Sequence, residues 1–132
     1  MTIHLDTSVL VNVITGPRAL LRSYIHATGQ GHRVVLSAPV MYEWLRGPRL
    51  DSDLQLQRQL HPDDQIVLFG PSEAAVAASL YRRVKRARGR EIDIAIAACA
   101  IEHGAALWTV NPADFKDIPG LQLYVAPPSS LT

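Results

Sequence analysis

Short runs rich in β-branched and other apolar residues alternate with helical runs almost from one end of this chain to the other, and Gly or Pro punctuates most of the changes. "TIHL" (2–5) reads as the first strand, "RVVLS" (33–37) as the second and "QIVLF" (65–69) as the third. "ALWTV" (106–110) and "LQLYV" (121–125) follow as the fourth and the last. Between them lie helical patterns: "VLVNVI" (9–14) with Thr7 and Ser8 as N-cap residues, "PRALLRSYIHATG" (17–29), "VMYEWLR" (40–46) and "DSDLQLQRQLH" (51–61). "EAAVAASLYRRVKRAR" (73–88) and "EIDIAIAACAIEH" (91–103) are two further long ones. Such alternation predicts an α/β fold, with a parallel or mostly parallel sheet and helices on both faces. In such sheets the working crevice lies at the carboxyl ends of the strands. With 132 residues, 48% of them hydrophobic, the chain suits one domain with its own core, 1–132, its last residues (126–132) forming a loose Pro-rich tail.

Other features narrow the setting. No apolar stretch reaches the roughly 18 residues of a membrane span, and the start lacks the pattern of a signal peptide. Cys99 is the only cysteine, so no internal disulfide forms, and a reducing cytoplasm fits. A net charge of +1 argues against a bulk nucleic-acid coat protein. The cations are nonetheless clustered: Arg82, Arg83, Lys85, Arg86, Arg88 and Arg90 crowd into "RRVKRARGR". That run reads either as a solvated helix face or as a contact for an anionic partner.

Three of the twelve acidic residues sit in unexpected company. Asp6 follows Ile3 and Leu5 and precedes Val9, Leu10 and Val11. Glu43 lies among Val40, Met41, Tyr42, Trp44 and Leu45. Asp93 opens a helix that is apolar on nearly every side, the mark of a buried helix. One turn on from it are Ala97 and Ala100, whose small side chains leave room above the carboxylate. Each acid also has an ordinary reading. Asp6 can cap a helix, Asp93 can be a first-turn acid and Glu43 can pair with Arg46. Taken together those readings weaken, because the fold sends all three to one edge of the sheet, where Asp114 of "NPADF" joins them after the fourth strand.

Converging carboxylates repel one another and raise each other's pKa values unless a cation compensates. An all-oxygen ligand set selects a hard ion such as Mg²⁺ or Mn²⁺. The five histidines show no metal-binding spacing, so zinc is disfavoured. Carboxylate-held magnesium in an open site serves phosphate chemistry. The neighbouring arginines make a polyanion the better substrate class.

"LDTSVLV", the acid in "MYEWLRG" and "GREIDIAIAACAIEHGAALWTVNPADFKDIPGLQLY" together resemble the PIN-domain ribonucleases, specifically the VapC-type toxins of bacterial toxin–antitoxin pairs. The likeness covers essentially the whole chain, with its motifs in the expected order. It implies a PIN-like three-layer α/β/α sandwich and Mg²⁺- or Mn²⁺-dependent cleavage of RNA. It carries catalytic and metal-binding roles onto Asp6, Glu43, Asp93 and Asp114. Thr7 or Ser8 matches the hydroxyl that supports the first acid, and Asn111 matches the polar residue that orients the last. A homodimer and a cognate antitoxin are the implied partners. Many relatives carry Arg just before the position of Asn111. Here it is Val110, which leaves Arg86, Arg88 or Arg90 to supply a phosphate contact.

Two other classes compete. A catalytically silent relative would bind RNA or a protein without turnover. An aspartyl-phosphate protein would place a nucleophilic Asp after a strand. For a phosphatase of that kind Ser8 stands where a second Asp belongs, and only Lys85 and Lys116 are available as the required lysine. Cys99 lacks an activating base, and Trp44 and Trp108 read as core.

Overall fold

The computed structural model describes residues 1–128. Strand β1 (Thr2–Leu5) is internal to the sheet. It pairs with β2 (Arg33–Val35) on one side and β3 (Ala106–Trp108) on the other, and β4 (Gln122–Leu123) lies outside β3. Every pairing is parallel, with Ile3 opposite both Val34 and Ala106. Ile3, His4 and Leu5 are all buried, the continuous burial expected of a strand covered on both faces.

Helices α1 (Thr7–Thr15) and α2 (Arg18–Gly29) connect β1 to β2. Helices α3 (Ala38–Arg46), α4 (Asp51–Leu60), α5 (Pro71–Arg83) and α6 (Glu91–Glu102) carry the chain back across β1 to β3. The two crossovers leave in opposite directions. Because parallel crossovers are right-handed, α1 and α2 cover one face, while α5 and α6, packed along each other, cover the second. Helix α3 packs against both α1 and α6 and so joins the outer layers. The sheet changes direction between β1 and β3, and a crevice opens at their carboxyl ends.

Local chemistry sets the boundaries. A Cβ at Gly16 would meet the Asn12 carbonyl oxygen at 2.7 Å, so the end of α1 admits only glycine. Pro17 then starts α2 with no N–H to lose. The core is built on Leu5, Leu10, Leu36, Trp44, Ile96 and Leu107, all fully buried. Helix α6 is its centre: six of its twelve residues are buried, as its apolar sequence requires.

Three expectations change. The segment 65–69 forms no strand. Val67 makes one parallel bridge to Ser37 and the ladder stops, because α3 begins at Ala38 and removes the partner strand. A short 3-10 turn, Asp63–Gln65, precedes it. The helix expected over 73–88 begins at Pro71 and ends at Arg83. Val84 and Ala87 continue its apolar spacing and are buried, but the backbone turns at Arg86 (φ 55°) and Gly89 (φ 88°) to enter α6. Thr7 and Ser8 lie within α1 rather than at its N-cap. Residues 124–128 carry neither helix nor strand, and the remainder of the expected tail, 129–132, lies outside the described residues.

Candidate metal centre

Asp6 ends the first strand. Its amide donates to the Trp108 carbonyl at 2.8 Å, which fixes it beside the end of β3. It holds the N-cap position of α1, yet its side chain makes no capping bond. Two hydroxyls instead converge on one carboxylate oxygen: Ser8 Oγ and Thr109 Oγ1 each donate to Asp6 Oδ2 at 2.8 Å. The Val110 amide supports the Ser8 hydroxyl at 3.3 Å, and the Asn111 amide supports Thr109 at 3.0 Å. Oδ2 is thereby occupied on the protein side. Asp6 is only 5% exposed, so its orientation is imposed by packing as well as by these bonds.

Glu43 comes from the middle of α3 on the opposite wall. Thr7 Oγ1 donates to its Oε1 at 2.5 Å, and Arg46, one turn on, approaches Oε2 at 3.2 Å. The Glu43–Arg46 pairing considered from sequence is therefore present. It is the weak kind, because the Arg46 side chain is 53% exposed. Thr7 and Ser8 are consecutive residues that serve different acids.

Asp93 stands in the first turn of α6, partly buried above Ala97 and Ala100, which are fully buried. Its pKa is pushed up to about 6, first by burial and then by the charges of Asp6, Glu43 and Asp114. Arg90 opposes the shift only as the smallest influence. The helix N-terminus helps an anion by only ~0.3–1 kcal/mol, which does not offset burial among like charges.

Oxygen atoms of Asp6, Glu43 and Asp93 lie within 4.8 Å of one another. The set contains carboxylates only, which suits a hard dication such as Mg²⁺ or Mn²⁺ and not zinc. Crowding and burial set a penalty on the full charge of the trio, and a dication would remove it.

The other expected site residues are placed less centrally. Asp114 lies in a 3-10 turn (Pro112–Asp114) and is exposed. It is outside the three-residue cluster, although its charge acts on Asp93. Asn111 begins that turn and its carbonyl accepts the Asp114 amide at 3.0 Å, so the turn forms through backbone and not through the Asn111 side chain. Arg86 and Arg88 are exposed. Arg90 is bound to Asp117 at 2.7 Å. Thr109 was absent from the expected site. The available signal was topological: it is the first polar residue after β3, next to β1 at the point where the sheet changes direction.

A profile of the PIN domain matches residues 3–121. The chain belongs to the PIN domain family. Several solved structures resemble it in shape. VapBC2 from Rickettsia felis, bound to a DNA fragment from its promoter, aligns with a TM-score of 0.77 at 22% identity, covering 94% of this chain and 98% of that one. DNA-bound VapBC from Salmonella typhimurium gives 0.72 at 18% identity, covering 94% and 97%. A toxin–antitoxin complex from Klebsiella pneumoniae gives 0.69 at 22% identity, covering 90% and 94%. At these identities the likeness establishes the PIN fold. No curated protein matches the chain in sequence. Among the described residues of this PIN domain, no helix is long and apolar enough to cross a membrane.

Proposed function

We propose that this PIN domain is a metal-dependent endoribonuclease, the VapC-type toxin of a toxin–antitoxin pair, hydrolysing RNA phosphodiester bonds. The observation that carries the reading is the convergence of Asp6, Glu43 and Asp93 at the point where the sheet changes direction. Such a trio is costly to keep charged for structural purposes alone. Mg²⁺ or Mn²⁺, held by these three carboxylates, would supply Lewis acidity toward phosphate oxygens and neutralise developing negative charge.

The chain's own residues prepare that site. Ser8 and Thr109 fix one oxygen of Asp6 and leave the other for a ligand. Thr7 and Arg46 orient Glu43. Asp114 is the fourth acid, acting from the rim on the cluster or on a water at the scissile phosphate. Asn111 shapes its turn. Arg86 and Arg88, exposed on the loop that leads into α6, contact substrate phosphates outside the crevice.

The protein would work in the cytoplasm as a homodimer and be silenced by a cognate antitoxin. The similar solved proteins are themselves toxin–antitoxin complexes. Exposed Tyr42 and Leu45 flank Glu43 on α3 and provide apolar surface beside the crevice for such a partner.

The test is incubation of purified protein with RNA and Mg²⁺ or Mn²⁺, followed by chelator, with Asp6→Asn as control. Cleavage that needs the ion, stops on chelation and disappears in the variant supports the reading. RNA binding without cleavage would instead identify a silent binding module, and cleavage that persists in Asp6→Asn would mean the site is elsewhere.

A further inference from the structure

Arg90 belongs to the basic run, but both terminal nitrogens of its guanidinium are engaged. Nη2 and Nη1 grip the two oxygens of Asp117 at 2.7 and 2.9 Å, and Nη2 also donates to the Asp114 backbone carbonyl at 2.9 Å. Nη1 makes a longer contact, 3.4 Å, with the Lys85 carbonyl. One side chain therefore joins the loop that follows α5, the start of α6 and the turn that carries Asp114. The Arg90 side chain is 23% exposed and that of Asp117 48%, so the pair is partly solvated, but its two-pronged grip has a defined geometry.

The arrangement has a positional consequence. The turn at 112–114 is held internally only by local backbone bonds. Phe115 and Ile118 anchor the following residues in the core. Arg90 provides the link from this turn to the helix that bears Asp93.

There is also an electrostatic consequence. A guanidinium next to Asp93 and Asp114 is a natural partner for either carboxylate and would compete there with a metal ion. Asp117 instead occupies both prongs. Asp93 and Asp114 accept no side-chain bond from Arg90, which meets Asp114 only at its backbone.

We infer that the Arg90–Asp117 pair is a positioning clamp that holds the turn bearing Asp114 at the rim of the Asp6–Glu43–Asp93 cluster and keeps the guanidinium off those carboxylates. The inference rests on the nuclease reading and assigns Arg90 a task other than phosphate contact. Lysine cannot reproduce the clamp, because it keeps the charge and loses the planar fork.

Manganese-binding calorimetry and RNA-cleavage kinetics on wild type, Arg90→Lys and Asp117→Asn test it. Arg90→Lys is expected to lower kcat about tenfold, with KM for RNA, manganese affinity and Tm close to wild type. Asp117→Asn leaves the guanidinium uncompensated beside the acids, and is expected to weaken manganese binding about five- to tenfold. Wild-type kcat in Arg90→Lys, or unchanged manganese affinity in Asp117→Asn, overturns the clamp. So does a fall in kcat explained by a smaller folded fraction at the assay temperature. A wild-type protein that takes up no manganese overturns the nuclease reading first, and the clamp with it.

Discussion

His4 and Asp6 are two residues apart where the sheet is most deeply covered, and the protein treats their charge in opposite ways. Burial, reinforced by the charges of His103 and Arg33, lowers the His4 pKa to about 4, so its ring is neutral near pH 7. Neither ring nitrogen has a hydrogen-bond partner among the described residues. Beside it, His103 meets Glu73 at 2.8 Å, and both residues line a cavity of about 550 Å³ that shares no residue with the acidic crevice. The cations near His4 push the same way as burial, and the ring gives up its charge. At Asp6 the chain does the reverse: it fixes the carboxylate with two hydroxyls and turns it toward two more acids. An ionisable group that sheds its charge is core material. A cluster that concentrates charge while partly desolvated is a candidate ligand site.

The largest expected effect breaks the crevice side of this contrast. Asp93→Asn and Asp6→Asn should each lower RNA cleavage at least about 100-fold in an assay with Mg²⁺. In metal-free buffer the same Asp93→Asn protein should melt no lower than wild type, and higher by up to about 1–2 kcal/mol of stability, because a like charge leaves the cluster. A large loss of stability would show that the acids support the fold instead.

A second, smaller effect concerns Thr109. Thr109→Val removes one of the two hydroxyls on Asp6 Oδ2 and should weaken manganese binding about tenfold, the scale of lost outer-shell support. Thr109→Ser should restore most of it. Equal affinity in all three proteins, by calorimetry, would show that Ser8 alone suffices.

The pH dependence sharpens the comparison further. Asp93 titrates near 6 in the fold and near 3.8 unfolded, so the native state binds more protons between those values. Its contribution therefore destabilises as pH rises through that window. His4 and His61 behave oppositely: each is lowered by burial from 6.5 to about 4, so the unfolded state binds more protons and stability is lost as pH falls from 6.5. Asp93→Asn removes the opposing slope. Its acid destabilisation in metal-free buffer should be steeper than wild type by up to about 1.4 kcal/mol per pH unit near pH 5. Parallel curves from denaturant melts at several pH values would contradict the assigned titration of Asp93.

The smallest effect lies on the histidine side. His4→Leu exchanges a buried ring without hydrogen bonds for an apolar side chain and should change stability by less than about 1.5 kcal/mol. Cleavage should stay at the wild-type level. Loss of activity with an intact fold would mean that the His4 region takes part in function.

The three clustered acids were legible in the sequence because each interrupts an apolar pattern, and strand–helix alternation was enough to send them to one edge. Thr109 was not legible, since a threonine in "ALWTV" is ordinary strand composition and its partner lies 103 residues away. The pairing of Arg90 was not legible for a similar reason. In a run of cations it looks like its neighbours, and Asp117, which distinguishes it, is reached only through the fold. The end of α5 was misplaced although the apolar spacing was sound. Val84 and Ala87 are buried as a continued helix would bury them, but through a turn with Arg86 in a left-handed conformation. Likewise "QIVLF" has strand composition but bridges to a neighbouring segment at one residue only.

The central claim, that Asp6, Glu43 and Asp93 tolerate one another through a shared dication, is tested most directly by counting protons released when manganese binds. Calorimetric titrations at one pH in buffers of different ionisation enthalpy give that count. Release of about half a proton is expected at pH 6 and almost none at pH 8, because the ion displaces the proton held by Asp93. Manganese uptake with no proton release at pH 6, or no uptake at either pH, would contradict it.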